Sequence, residues 1–128
     1  MVIIQSKSKR KPSGARYKSK IIKKRQHLAG RHAALTKIGA KRVQNIRARS
    51  HISKLRLLTI DKVNLYDPSS KSYAVVEIKN VNDSPQDKNF IRRKIMSKGS
   101  IIETARGIAK ITNRPGQDGM INAVLVEK

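Results

Sequence analysis

The distribution of acidic residues is the feature that most constrains the fold. The first 60 residues carry eighteen Lys or Arg residues and no Asp or Glu, whereas residues 61–128 carry twelve basic residues against eight acidic ones. A segment of uniform positive charge repels itself and resists compaction unless a polyanion neutralises it. We therefore expect a conventional folded core in the later part of the chain, and a basic segment before it that contacts an anionic partner.

The basic segment has little to bury. Residues 5–20, QSKSKRKPSGARYKSK, contain almost no apolar side chain, and Pro12 and Gly14 interrupt regular structure. A short helix is predicted between Ser19 and Gly30, because Ser19 suits an N-cap and the apolar residues that follow recur at helical spacing. We place a basic arm at residues 1–42 and a folded body at residues 43–128.

The body has the texture of a β domain. Residues 55–66, LRLLTIDKVNLY, predict an extended strand with a bulge or bend near Thr59, where the alternation of apolar residues breaks. Asp67 and Pro68 begin a turn that leads into a returning strand at residues 72–81. Further strands are predicted at residues 89–96, 101–104, 108–112 and 120–126.

This pattern indicates a mainly β fold. Six or seven short strands without a convincing helix between them favour a small antiparallel barrel or sandwich. Closing the sheet would also remove exposed strand edges. We expect a barrel-like antiparallel body with a long, mostly extended basic N-terminal arm that contains one short helix.

Composition and motifs exclude most catalytic chemistry. The chain has no cysteine, which excludes disulfides, Cys-based zinc sites and thiol nucleophiles. Its three histidines, His27, His32 and His51, have no nearby acids, so they are expected to be solvated or to contact phosphate rather than to bind metal. No nucleotide-binding fingerprint is present. We expect no enzyme activity, cofactor, metal or small-molecule substrate.

The segment RPGQDG at residues 114–119 has two interpretations. Gly116 and Gly119 could expose backbone N–H groups to a phosphate that Arg114 also reaches, or the segment could simply be a hairpin turn. The sequence does not separate these two interpretations.

The long basic segment points to nucleic acid. An acid-free stretch of this length exceeds an ordinary localisation signal, although a solvated tail remains the alternative. The absence of a zinc finger, basic zipper or helix-turn-helix favours RNA over DNA, and an architectural DNA-binding protein remains the second hypothesis. An RNA-modifying enzyme is a third. A membrane partner is not expected, because the apolar face of the arm is narrow and no apolar run could span a bilayer.

Six motifs in order resemble a known family, the archaeal and eukaryotic ribosomal protein family S-eight-e. They are RKPSG at residues 10–14, KKR at 23–25, GR at 30–31, TKIG at 36–39, KGSIIET at 98–104 and NRPGQDG at 113–119, and the final NAVLVE at 122–127 is also archaeal in style. The resemblance covers nearly the whole chain and is similar to the short archaeal form of the family.

The resemblance implies a structural component of the small ribosomal subunit in the cytoplasm. Its implied partners are small-subunit ribosomal RNA and neighbouring small-subunit proteins. In the family a Gly-Gly-Asn segment usually follows an Arg-x-Arg sequence, whereas here Arg47 and Arg49 are followed by Ser50 and His51. The two arginines are carried over as contacts, and the glycine turn is not.

From the basic segment and the resemblance together we predict twenty RNA-binding residues. They are Lys7, Lys9, Arg10, Lys11, Arg16, Lys18, Lys20, Lys23, Lys24, Arg25, Arg31, Lys37, Lys41, Arg42, Arg47, Arg49, Arg92, Arg93, Lys94 and Arg114.

Overall fold

Short pairings within the first 33 residues form one of the two units of the chain, and residues 34–128 form the other. The computed structural model describes residues 3–5, 8, 10–17, 26–48 and 50–126. In the first unit, strand β1 (Ile3–Ile4) pairs antiparallel with β2 (Ala29–Gly30). The functional division into an arm and a body at residues 42 and 43 stays a prediction.

A tight turn in the first unit follows from its sequence. The Gly14 N–H donates to the Lys11 carbonyl at 2.9 Å, and Gly14 has a φ of +83°, a conformation that costs glycine little. Pro12 occupies the second position of this turn, where its fixed φ is favourable. The turn brings Arg10 opposite Arg16 in an antiparallel bridge.

The helix predicted from Ser19 to Gly30 begins outside the described residues, which exclude 18–25. Its later part was predicted wrongly. Gln26–Leu28 form a single 3-10 turn, and Ala29–Gly30 form β2. Ala29 and Gly30 pair with β1, and the Leu28 carbonyl accepts a hydrogen bond from the Gln5 N–H at 2.8 Å, so these residues have hydrogen-bond partners outside a helix.

The second unit contains a closed five-stranded barrel, which confirms the mainly β prediction. Its strands are β6 (Lys62–Asp67), β7 (Ser72–Asp83), β8 (Ile101–Thr104), β9 (Gly107–Ile111) and β10 (Asn122–Leu125), in the order β10-β6-β7-β8-β9. Four of the five neighbouring pairs are antiparallel, and the pair β6–β10 that completes the circle is parallel.

A three-stranded sheet precedes the barrel in the chain. It consists of β3 (Lys37–Ile38), β4 (Arg42–Arg47) and β5 (Ser53–Ile60), with β5 in the centre. The register between β4 and β5 shifts by one residue opposite Leu58, which confirms the irregularity predicted near Thr59. This shift explains why Leu57 and Ile60 are both buried although they are three positions apart.

Aliphatic side chains from both sheets form the core. Burying these side chains removes apolar surface from water and supplies the main driving force for folding. The core residues are Leu57, Ile60, Val63, Leu65, Val76, Ile78, Val81, Met96, Ile102, Ala109, Ile111, Ile121 and Ala123.

The strand predicted at residues 89–96 is wrong. Residues Lys88–Arg92 form a short helix, α1, because the Asp87 side chain accepts a hydrogen bond from the Asn89 N–H at 2.9 Å and caps the first turn. Lys94 ends the segment with a φ of +51°, and Ile95 and Met96 then enter the core. A helical turn, and not a strand, therefore determines where the apolar residues of this segment lie.

The RPGQDG segment is also helical. Residues Pro115–Asp118 form α2, with Pro115 in the first turn and Gly119 as a left-handed C-cap at φ +73°. The segment joins β9 to β10, which pair antiparallel, so it does connect the two strands of a hairpin, but through a helical turn. Proline is pre-organised for a helix start, and glycine is favoured just past a helix end.

Candidate nucleic-acid interface

The register of the three-stranded sheet places four basic residues on one face. Residues directly opposite each other in adjacent strands project to the same side of a sheet. Arg56 is opposite Gln44, Lys54 is opposite Ile46, and Thr59 is opposite both Lys37 on β3 and Arg42 on β4. Because alternate residues of β4 share a face, Arg42, Gln44 and Ile46 line up, and their partners line up with them.

We call this surface the basic sheet face and define it as Lys37, Arg42, Lys54 and Arg56. The first three side chains are exposed and Arg56 is half-buried. The opposite face of β5 contributes Leu57 to the core. No acidic residue occurs in β3, β4 or β5, so these three strands supply no countercharge to the basic sheet face. Such a surface is suited to the closely spaced phosphates of a nucleic acid.

The turn between β4 and β5 has an unusual backbone. Ser50 and His51 have φ values of +56° and +57°, and the Ala48 N–H donates to the Ile52 carbonyl at 2.7 Å. Positive φ at two successive residues matches the twist of a tight hairpin and is adopted most readily by glycine. Ser50 and His51 thus adopt the backbone sign that a glycine pair would favour, and both are exposed.

The first unit presents its own predicted cations. Arg10 is held by its turn, since its guanidinium donates to the Gly14 carbonyl at 3.0 Å. The Lys11 ammonium lies 5.6 Å from the centre of the Tyr17 ring, within the range of a cation–π interaction. Arg16 and Arg31 are also exposed.

The basic residues near α1 do not form a single strand face. Arg92 ends the helix, Arg93 is its C-cap, and Lys94 follows in a left-handed conformation. All three are exposed. Because only Arg92 is helical, while Arg93 and Lys94 have other backbone conformations, the three charges do not follow the two-residue alternation of a strand.

Arg114 begins α2, and its surroundings disfavour a phosphate cradle. The Asp118 carboxylate accepts hydrogen bonds from the Arg114 N–H at 3.0 Å and from the Asn113 side-chain amide at 3.1 Å. A phosphate at this turn would meet the negative charge of Asp118. The Arg114 side chain itself is exposed and remains a candidate contact.

Two further predicted residues, Lys41 and Arg47, are exposed at the two ends of β4. The remaining predicted residues lie outside the described part of the chain. They are Lys7, Lys9, Lys18, Lys20, Lys23, Lys24, Arg25 and Arg49.

Sequence reasoning missed Lys54 and Arg56. The signal was present, because Leu55 and Leu57 alternate with them and mark the opposite face of the strand as apolar. The resemblance drew attention to residues before the turn, and the returning strand was assigned only to the core.

Among residues 3–5, 8, 10–17, 26–48 and 50–126, no three His, Asp or Glu side chains are grouped closely enough to hold a metal ion. The described residues also include no helix of the length and hydropathy that crossing a membrane requires.

The fold and the distribution of charge define a small basic β-barrel protein with an acid-free sheet face. Comparison with known sequences identifies its family, because the model of ribosomal protein S8e matches residues 4–126. The chain belongs to the ribosomal protein S8e family, as its sequence motifs predicted.

Similar proteins align with nearly the whole length of the chain. A protein of Methanobrevibacter smithii named small ribosomal subunit protein eS8 is 44% identical over 126 residues, covering 98% of this chain and 100% of the relative. Proteins with the same name from Picrophilus torridus and Halorubrum lacusprofundi are 41% and 44% identical, covering 98% and 96% of this chain and 100% and 98% of the relatives.

Proposed function

We propose that this protein is a structural component of the small ribosomal subunit in the cytoplasm and that it binds and stabilises small-subunit ribosomal RNA. The observation that carries the proposal is the basic sheet face, where Lys37, Arg42 and Lys54 are exposed on one side of an acid-free sheet. The names of the similar proteins support the assignment to the small subunit.

In this proposal the basic sheet face binds phosphates and the predicted arm extends the contact along the RNA. Arginine can bind a phosphate through two parallel hydrogen bonds, whereas lysine supplies a flexible point charge. A mixture of the two suits the irregular backbone of a folded RNA. The predicted cations of residues 1–42, together with Arg47, Arg49, Arg92, Arg93, Lys94 and Arg114, complete the proposed contact set.

The proposal assigns assembly rather than turnover to the protein. Neutralising phosphates at the point where RNA segments approach one another lowers their repulsion and favours the folded subunit. Neighbouring small-subunit proteins are the other proposed partners.

A charge-matched pair of variants tests the role of the basic sheet face. The first combines Lys37→Gln, Arg42→Gln and Lys54→Gln, and the control combines Lys79→Gln, Lys98→Gln and Arg106→Gln, which are exposed residues outside the proposed contact set. Both variants lose three positive charges. Binding to a small-subunit ribosomal RNA transcript would be measured over a series of salt concentrations.

We expect the first variant to bind more weakly and to reduce the slope of log affinity against log salt by roughly two to three, since each phosphate contact contributes about 0.7–0.9. The control should reduce the slope by less than about one. Equal losses in the two variants would show that net charge alone governs binding and would remove the basic sheet face from the proposal.

Competition separates the ribosomal proposal from an architectural DNA-binding function. Small-subunit RNA and duplex DNA of equal phosphate content would be offered at matched salt, and retention on isolated small subunits would be followed through high-salt washing. Preference for the RNA and retention on the subunit are expected. Preference for duplex DNA, with no retention on subunits, would favour the architectural function.

A further inference from the structure

Two of the three tyrosines meet on the outside of the barrel. Tyr66 on β6 and Tyr73 on β7 are directly opposite each other in the antiparallel ladder, with ring centres 4.8 Å apart and planes inclined by 39°. The Tyr73 side chain is 79% exposed, and Tyr66 is half-buried. The Tyr66 ring is therefore partly covered, and the Tyr73 ring leaves aromatic surface exposed to solvent.

A groove of about 590 Å³ lies beside these rings. Val75, Met120 and Val124 contribute apolar surface to it, and Asn64 and Asn122 contribute side-chain amides. The two asparagines are opposite each other on β6 and β10, two positions along from the level of Tyr66. That spacing places them roughly 7 Å from Tyr66 along the strand, on the same face of the sheet.

Each side-chain amide of this pair has one hydrogen-bonding group without a partner among the described residues. Asn64 Nδ2 donates to Asn122 Oδ1 at 3.0 Å. Within the described part of the chain, this leaves Asn122 Nδ2 as a donor and Asn64 Oδ1 as an acceptor without a partner. A ligand in the groove therefore meets aromatic surface next to one available donor and one available acceptor.

Lysines stand on two sides of this surface. Lys110 is opposite Val124, which is itself opposite Tyr66, so two strand spacings of about 4.8 Å separate Lys110 from Tyr66. Lys71 lies in the turn that joins β6 to β7, next to the tyrosine pair. The nearby acid Asp67 is engaged by hydrogen bonds from Ser69 and Ser70.

We propose that this surface, the tyrosine shelf of Asn64, Tyr66, Tyr73, Val75 and Asn122, binds one unpaired nucleobase of RNA. The base stacks on Tyr73, its polar edge meets the free donor and acceptor of the asparagine pair, and Lys71 and Lys110 lie towards the flanking phosphates. The inference rests on the proposed function, because that function makes RNA the partner of the chain.

The chemistry of the shelf distinguishes a base from other occupants. A nucleobase is apolar on its faces and polar along its edge, and the shelf offers ring surface beside amide groups. An apolar side chain of a protein would bury the amide donor and acceptor without compensation, which is unfavourable. A base inside a duplex cannot present its face, so the shelf selects single-stranded RNA.

The test compares the full chain and its Tyr73 variants on two RNA probes. One probe is a single-stranded oligoadenylate of twelve nucleotides, and the other is an RNA duplex of the same length. We expect Tyr73→Ala to weaken binding of the single strand about tenfold, because stacking one base on an aromatic ring raises affinity by about tenfold or more. Tyr73→Phe should keep most of the affinity, and the duplex should be unaffected by either change.

Two controls separate a stacking role from other causes. Ile52→Ala removes a different exposed apolar side chain, 58% exposed on the β4–β5 turn, and should leave binding of the single strand unchanged. Circular dichroism of Tyr73→Ala at the assay temperature should match that of the unchanged protein, although loss of the contact between the Tyr66 and Tyr73 rings is expected to lower its midpoint of thermal unfolding. Ultraviolet crosslinking to 4-thiouridine-labelled RNA should place an adduct on Tyr66 or Tyr73.

The outcomes are separable from those of the proposed function. If the triple variant of the basic sheet face lowers the salt slope while Tyr73→Ala binds both probes normally, the tyrosine shelf does not bind a base and the ribosomal proposal stands. Crosslinking of Tyr73 to a protein within assembled subunits, with RNA affinity unchanged, would overturn the inference in favour of a protein neighbour. A chain that binds neither ribosomal RNA nor the oligoadenylate would overturn both.

Discussion

The hydroxyl of Thr36 donates a hydrogen bond of 2.8 Å to the backbone carbonyl of Leu57, and both residues are buried, with 2% and 0% of their surfaces exposed. The Thr36 carbonyl in turn accepts from the Met96 N–H at 2.8 Å. Thr36 therefore connects the segment before β3 to β5, the central strand of the three-stranded sheet, and to Met96, where the chain enters the core. Its position explains why β3 lies beside β5 although Lys37 and Thr59 are far apart in sequence.

Replacing Thr36 by Val is expected to lower the free energy of unfolding by about 1–2 kcal/mol. The substitution keeps the side-chain shape but removes the donor to a buried carbonyl. Chemical denaturation would measure the change. The matched control is Thr112→Val, whose hydroxyl makes a longer bond of 3.3 Å at an exposed position and which should cost less than about 0.5 kcal/mol. Equal costs would show that the buried bond is not the stabilising contact.

Glycine at the β4–β5 turn should stabilise the hairpin. Ser50 and His51 both have positive φ, which is unfavourable for residues that carry a Cβ atom. Ser50→Gly and His51→Gly should each raise the free energy of unfolding by roughly 0.5–1 kcal/mol, the net of relieved strain and added chain entropy. Ser53→Gly, in β5, is the control and should destabilise by a similar amount. Destabilisation by both turn variants would contradict this account.

Asp67 should make the β6–β7 turn sensitive to acid. The hydrogen bond from the Ser70 hydroxyl, followed by bonds from the Ser69 and Ser70 backbone, holds the pKa of the Asp67 carboxyl below its usual value of 3.8. A lowered pKa means that the unfolded chain takes up the proton first as the pH falls. The stabilising effect is therefore complete above pH 3.8 and is lost as the pH falls through the lower pKa of the folded state.

Nuclear magnetic resonance titration of the Asp67 carboxyl would measure this pKa directly. In the Ser70→Ala variant the pKa should move back up towards the usual value, because the largest cause of the shift is removed. Asp67→Asn should abolish the contribution of this residue to the acid dependence. An unchanged titration in Ser70→Ala would show that the hydroxyl does not stabilise the carboxylate.

A side chain at Gly119 should destabilise the protein. It ends α2 at φ +73°, and a Cβ atom placed on it would lie 3.3 Å from the Cβ of Leu55. Gly119→Ala is expected to cost about 1–2 kcal/mol from the left-handed backbone alone. Leu55→Ala keeps the Cβ atom of Leu55 but removes its Cδ1, which would lie 3.4 Å from the added Cβ, so in that background the cost should fall by the part that this atom contributes, as a double-mutant cycle would measure. A cost that does not change in that background would show that the Leu55 side chain beyond its Cβ does not crowd the substituted residue.

Local chemistry explains which parts of the fold were predictable. The turn after β6 was predicted from Asp67 and Pro68, and the observed hydrogen bonds to Asp67 stay within three residues of it. Gly107, the first residue of β9, has a φ of +140°, a conformation that glycine adopts readily and that permits the tight hairpin from β8. Both features depend on residues close in sequence, where the sequence pattern is most informative.

The errors arose where a local contact or a distant partner determined the structure. Asp87 caps α1 through a hydrogen bond from the Asn89 N–H, and the segment that follows is helical although its alternating residues resembled a strand. The parallel pairing of Asn64 with Asn122 joins residues 58 positions apart, and no local pattern indicates it. The tyrosine pair could not be predicted for a related reason, because Tyr66 and Tyr73 lie opposite each other only in the observed register of β6 and β7.

The basic interface was predictable in composition and not in geometry. The acid-free segment identified Lys37 and Arg42 as candidates, but their alignment with Lys54 and Arg56 requires the strand order β3-β5-β4. A sequence can show that the cations are present, whereas the sheet determines which of them share a surface.

The parallel pair β6–β10 has a consequence for the order of events during synthesis. β6 leaves the translating ribosome first among the five barrel strands, and β10 leaves last. Until β10 has emerged, β6 and β9 each keep one side without its barrel neighbour, and such edges can pair with other chains. The newly made protein would thus expose two unpaired strand edges until β10 has emerged, and the pairing of β10 with β6 and β9 would cover both.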